Sequence, residues 1–333
     1  MTRLVVCALG IVWLAACRTA SEPSDPPESS APSATTSSGS AILLDDLTSY
    51  PIYAPGNWWG RGIQNAPVDP DSDAILRFIG GQPLHPDLGP PPFGIPYVTV
   101  SSSEPLVSVA FVAFPEESDE GGPGRAGYPI PEEAKTQPNF IEGAAPGGGT
   151  DGDRHLLALD RARLVLFETW ATSWNAAANR WEAGSGAVFD PSSNVRRPEG
   201  WTSADAAGLA VLPGLVRYDE AFGAGEINHA FRVTVRATDG HVWPASHTAG
   251  STPGAPPMGA RLRLKASKDI SGFSEPVRKI FQAMKIYGLI VADNGSDMFV
   301  TGTMDRRWNN DVLNPAFGSL TSDEFEVIEL GWR

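Results

Sequence analysis

Cysteine is almost absent: the 333 residues contain two, Cys7 and Cys17, both at the start of the chain. The remaining body can form no internal disulfide, offer no thiol nucleophile and build no Cys-ligated zinc site, so packing alone must hold it. Long apolar runs are missing too, and beyond residue 16 none approaches the ~20 residues needed to span a bilayer. Basic charge is scarce, with 25 Lys and Arg against 39 Asp and Glu and a net charge of −14. Such a chain lacks the clustered cations that phosphate backbones require, which argues against a nucleic-acid partner. G-x-S-x-G, H-E-x-x-H, Walker A and a G-x-G-x-x-G following a strand are all lacking. Serine-hydrolase and zincin chemistry therefore have no motif behind them, and no nucleotide or redox cofactor is indicated.

What the chain carries begins at its N-terminus. Arg3, an apolar stretch over residues 4–14 and the string Leu14-Ala15-Ala16-Cys17 read as a secretory signal closing on a lipobox. Residues 1–16 would be removed and Cys17 lipidated. Residues 17–40, dominated by Ser, Thr, Pro and Ala, read as a disordered tether spanning roughly 25–30 Å. An extracytoplasmic protein is predicted, anchored to the outer membrane or cell surface by its lipid and touching the membrane in no other way.

The body holds 35 Gly and 30 Pro, a composition of many turns and ordered loops. A short helix is expected over 71–80, capped by Asp69 or Asp71, then a strand over 106–114 and a long loop over 118–149. Runs at 155–160 and 164–170 form a hairpin turning at Asp160-Arg161-Ala162. Residues 229–236 alternate, with His229, Phe231, Val233 and Val235 on one face and Arg232, Thr234 and Arg236 on the other. Another strand falls at 261–266 and the last at 325–329. Residues 289–292 and 298–301 flank Asn294-Gly295, a hairpin signal. Ser274 caps and Gly288 stops an amphipathic helix whose apolar stripe packs on a sheet. The pattern predicts a mainly β protein, a β-sandwich of jelly-roll or lectin-like type with long loops and one or two helices on the sheet. Residues 41–333 form one domain, irregular over 41–149 and strand-rich over 150–333.

Polar and aromatic residues concentrate between Asp151 and His247, where four of the five histidines lie. His155, beside Asp153 and Arg154, sits at a loop–strand junction, where functional groups gather. Glu168 is surrounded by Leu166, Phe167 and Trp170, and burial would raise its pKa. With Asp190, Asp205, Asp219, Glu220 and Glu226 it supplies the two carboxyl groups that glycoside hydrolysis requires. A lyase would instead need a base and a cation to neutralise a uronate, parts that Arg217-Tyr218 with His155 or His229 could provide. Trp201 and Trp243 offer apolar faces to sugar rings, and His247 follows Trp243 closely. Each residue also has a structural reading: His229 as a hydrogen-bonded core histidine, Glu168 as a solvated or ion-paired strand residue. His155, His229 and His247 could together ligate a metal, but their spacing lends no local support. Asp69-Pro70-Asp71-Ser72-Asp73 and Asp293-Asn294-Gly295-Ser296-Asp297 resemble short calcium loops, although a helix cap and a turn explain them equally well.

The strings GDRH (152–155), AGSGAVFD (183–190), RPEGWTSADAAGL (197–209), LPGLVRYDE (212–220), PPMG (256–259) and VADNGSDM (291–298) resemble those of a family of secreted bacterial and fungal proteins. The similarity covers about residues 60–329. That family has no settled activity, so the resemblance implies an extracytoplasmic globular body and transfers no catalytic residue. Taken together, the residues point to a lipoprotein acting on a polysaccharide or smaller carbohydrate as hydrolase or lyase. His155, Glu168, Asp219 and His229 are the candidate catalysts. Asp153, Arg154, Asp190, Trp201, Asp205, Arg217, Tyr218, Trp243 and His247 are the candidate binding residues. The alternative is a non-catalytic carbohydrate-binding or envelope-structural lipoprotein using the same surface.

Overall fold

A computed structural model describes residues 41–48 and 50–333. The signal, Cys17 and the tether lie outside the described residues. In the first half the strands are β1 (Ala41–Leu43), β2 (His85–Gly89), β3 (Tyr97–Val100) and β4 (Val109–Phe111). The middle supplies β5 (Leu156–Asp160), β6 (Val165–Trp170), β7 (Ser173–Asn175), β8 (Arg180–Ala183) and β9 (Ser185–Phe189). The last third adds β10 (Phe231–Val235), β11 (Arg261–Leu264), β12 (Leu289–Asn294), β13 (Phe299–Met304) and β14 (Phe325–Val327). Four α-helices accompany them: α1 (Ser72–Ile79), α2 (Tyr218–Phe222), α3 (Glu275–Ile286) and α4 (Asn310–Gly318).

The protein is mainly β and its strands form three sheets: β1-β3-β5-β6-β9, β14-β11-β12-β10-β13-β2, and β4-β8-β7. Both larger sheets draw strands from the segment expected to be irregular: β1 and β3 in one, β2 in the other. The five-stranded sheet is covered on both faces. Leu157 and Leu159 of β5 pack with Val211, Leu212 and Leu215, while Leu156 and Ala158 pack with Tyr128, Phe140 and Trp181. This double burial is why β5 reads as a continuous apolar run instead of alternating. The six-stranded sheet packs Phe231, Val233 and Leu262 against the apolar stripe of α3, Val277, Ile280, Phe281 and Met284.

Several sequence expectations hold. The β5–β6 hairpin closes at residues 161–164, with Asp160 Oδ1 accepting the N–H groups of Ala162 and Arg163 at 3.0 Å each. α3 begins after Ser274, and α1 ends at a left-handed Gly80. Two expectations do not. Residues 106–114 form only the three-residue β4, half-buried beside β8. The hairpin about Asn294-Gly295 is absent, because β10 lies between β12 and β13, parallel to the first and antiparallel to the second. The loop instead straddles the end of β10, Gly295 N donating to Val235 O and Met298 N to Thr234 O, both at 2.9 Å.

One irregularity positions the site. Along β10 and β12 the register slips between Val233↔Val291 and Thr234↔Asp293, leaving Ala292 as a bulge. In an unbroken strand Asp293 would point away from the face that carries Arg232. The extra residue turns it back to that face.

Candidate functional site

Arg232 is 3% exposed at the middle of the six-stranded sheet. A buried guanidinium requires compensation, and here it is complete. Asp205 accepts from Nε at 3.1 Å and Nη2 at 3.0 Å, Thr301 Oγ1 accepts from Nη1 at 2.9 Å, and Asp293 lies 3.8 Å from Nη2. Asp205 is delivered by the loop over residues 200–209, itself tied down by hydrogen bonds. Ser203 Oγ accepts from Asp205 N at 2.8 Å and donates to Leu209 O, and Ala207 N donates to Ala292 O. Gly208 takes φ +73°, and a Cβ there would collide with Ser246 Oγ and the Trp201 carbonyl.

Beside this pair stands a second buried cation. His155 Nδ1 lies 2.6 Å from Glu142 Oε2, and Nε2 lies 2.9 Å from Ala204 O. Burial works against the charged ring, but the Glu142 carboxylate outweighs it and the His155 pKa is pushed up to about 9. His155 is thus an imidazolium at neutral pH, donating from both nitrogens. It fixes charge and cannot serve as the base expected of it.

Over these groups opens a cleft of about 290 Å³, lined by Phe114, Asp153, Trp170, Asp205, His247 and Asp293 among others. Trp170 donates from its indole to Asp153 Oδ1 at 3.2 Å, and Phe114 packs against both Trp170 and the His247 ring. His247 is held through Nδ1, 2.7 Å from Ala206 O. Burial and the charge of Asp205 push the Asp293 carboxyl up to about 6. Asp87 on β2 senses the same Arg232 and His155, and burial with the charge of Glu142 pushes it up to about 6 as well. The cleft therefore pairs aromatic faces with carboxyl groups, one of which is partly protonated near neutrality.

The sequence-predicted residues divide between this cleft and elsewhere. Asp153, Asp205 and His247 line it and His155 underlies it. Glu168 is fully buried, and each of its oxygens accepts a backbone N–H, from Val211 and Leu212, at 2.8 Å. Burial does raise its pKa, to about 7, but the group latches the 211–215 turn and does not line this cleft. Arg217, Tyr218, Asp219 and His229 gather at a different place. There Arg217 contacts Glu220 Oε1 and lies 3.5 Å from Asp219, while Glu220 Oε2 lies 2.9 Å from His229 Nε2. Arg217, Asp219 and Glu220 with Tyr53 border a separate groove of about 620 Å³, and His229 lies behind Tyr53, its ring edge-on to the tyrosine. Arg154 donates to the carbonyls of Thr150 and Gly152, and Asp190 caps a turn at Ser192. Trp201 lies beneath the Arg197 guanidinium and Trp243 packs against Trp58.

Arg232, Glu142, Asp87 and Asp293 were not singled out as site residues from sequence. Arg232 shares its strand face with Thr234 and Arg236, so nothing in the alternation marks it out, and Asp293 falls in the acidic string that resembles a calcium loop. His155, His229 and His247 bond to three different segments, and among the described residues no group of three or more His, Cys, Asp or Glu is placed to hold a metal ion. The acidic strings instead satisfy backbone and arginine donors: Asp69 takes Leu330 N, and Asp297 takes Arg236. Comparison with known proteins finds no matching family model, curated protein or solved structure.

Proposed function

We propose that this chain is an extracytoplasmic lipoprotein that hydrolyses a carbohydrate in the Trp170–Asp293 cleft, the two larger sheets serving as the layers of a β-sandwich. The observation that carries the reading is the juxtaposition of Phe114, Trp170 and His247 with Asp153 and Asp293 in one opening. A sugar presents an apolar face to the aromatic rings and hydroxyl edges to the carboxyl groups. Asp293, with its raised pKa, donates a proton to the glycosidic oxygen, and Asp153, exposed and aligned by the Trp170 indole, supports the developing cation or activates water. Arg232 and His155 position these acids and do not bind substrate directly, since Asp205 and Glu142 already occupy them. This weighs against the lyase reading, which requires an uncommitted cation for a uronate. The same saturation of charge favours, as the second reading, a cleft that binds sugar without turning it over.

The test is a polysaccharide panel incubated with the purified protein, following reducing ends and unsaturated-product absorbance. Hydrolysis is expected, with Asp293→Asn reducing turnover by about 10²-fold or more while the protein stays folded. Turnover unaffected by that change rejects the assignment, and retention of sugar without product selects the binding module.

A further inference from the structure

Arg261 presents the opposite situation to Arg232. It is 3% exposed, yet among the described residues it pairs with no carboxylate. Nη2 donates to the carbonyls of Arg61 and Tyr287, at 3.1 and 2.6 Å, whereas Nε and Nη1 are buried with no acceptor. The charge that bears on it is another guanidinium, Arg61, whose buried Nε also lacks an acceptor, as does the indole N–H of Trp58. The Arg61 guanidinium stands 5.8 Å from the centre of the Trp243 ring, that of Arg333 stands 5.6 Å from it, and Trp58 meets the same ring edge-on. Two cations thus flank one indole, and the buried Arg261 lies beside the first of them, in a protein of net charge −14. Burial and the charge of Arg61 pull the Arg261 pKa down to about 9, the response of a cation left uncompensated.

We propose that Arg61, Arg261 and Arg333, with Trp58 and Trp243, form a binding site for a phosphate group or a like oxyanion. An anion is the ligand class that cancels a buried like-charge pair while accepting from the orphaned N–H groups, and guanidinium favours oxyanions with several acceptor oxygens. Arg61 is half-buried and Arg333 exposed, so the ligand arrives from their side. None of these residues lines the carbohydrate cleft, and the inference stands whether or not that cleft is catalytic.

The test is thermal melting and calorimetry of the full-length protein in inorganic phosphate against chloride at equal ionic strength. Saturable stabilisation by phosphate is expected, because a ligand that binds only the folded state raises the melting temperature. Arg61→Gln should raise the melting temperature in chloride by relieving repulsion, and should weaken phosphate binding by about tenfold. Arg333→Gln, at an exposed position, should weaken binding without touching the fold. Glycerol 3-phosphate in place of inorganic phosphate distinguishes the sources, since tighter binding of the ester points to a headgroup and weaker binding to the free ion. Identical melting in phosphate and chloride overturns the proposal, as does an Arg61→Gln protein that responds to phosphate like the wild type.

Discussion

Two buried arginines, each near two carboxylates, give this molecule two different regions. Around Arg232 every guanidinium nitrogen has a partner, and the neighbouring carboxyls Asp87 and Asp293 are pushed towards their neutral forms by burial. Around Arg217, Nε and Nη1 lack hydrogen-bond acceptors, yet Glu220, drawn down by Arg217 and His229 against the effect of burial, reaches about 2. The two acids beside Arg217 divide, for burial raises the Asp219 carboxyl while Glu220 is held ionised. The first region therefore gathers acids pushed towards neutrality, and the second sets one such acid, Asp219, beside a fixed anion, Glu220.

The largest expected contrast is in stability. Arg232→Met strands Asp205, whose side chain is fully buried, and should cost ~3–5 kcal/mol in chemical denaturation. Arg217→Met leaves Glu220 still paired with His229 and removes two orphaned donors, so its cost should stay below about 2 kcal/mol. Equal losses would erase the distinction.

Next in size is the response to pH. The His155 pKa is raised from 6.5 in the unfolded chain to about 9, so its contribution is complete below pH 6.5 and lost as pH climbs through 9. The loss is on the order of 3 kcal/mol, and His155→Gln should flatten this alkaline limb in denaturation curves. Glu220 runs the other way. Lowered from 4.5 to about 2, it stabilises above pH 4.5 and loses that effect as pH falls through 2, so Glu220→Gln should flatten the acid limb.

Glu168→Gln should cost ~1–3 kcal/mol, because an amide offers one acceptor where two backbone N–H groups need two. The smallest expected change in stability belongs to Asp153→Asn, at an exposed position, within about 0.5 kcal/mol. Loss of turnover with unchanged melting would place Asp153 in the chemistry, and unchanged turnover would confine the reaction to Asp293.

Local signals were legible in the sequence wherever a single segment sufficed. The positions of α1 and α3, the β5–β6 turn and the strand at Phe231–Val235 follow from residues close together in the chain, although neither the Asp71 nor the Ser274 side chain makes a capping hydrogen bond. What escaped depends on remote pairing. Asn294-Gly295 has the chemistry of a tight turn, but β10 competes successfully for both flanking strands. Glu142 fell within an apparent loop, and nothing near it in sequence signals that it will meet His155. Glu168 shows the limit of local inference: its apolar neighbours leave a buried and a solvated reading both open, and the use of both oxygens by a turn more than 40 residues away leaves no local trace. The candidate catalysts form one group in the sequence, whereas the fold puts His155 beneath one cleft, Asp219 and His229 at another groove, and Glu168 under the 211–215 turn.

The insertion of β10 between two later strands also sets the order in which the Arg232 cluster can be assembled. Residues 231–235 leave the ribosome, and cross any membrane, well before residues 289–304, which must flank them on both sides. Until that final third arrives, Arg232 has its aspartate from residue 205 but neither bordering strand. A nascent chain cannot acquire the acid at position 293 in advance, so the Arg232 cluster is completed only once the last third of the chain has been made.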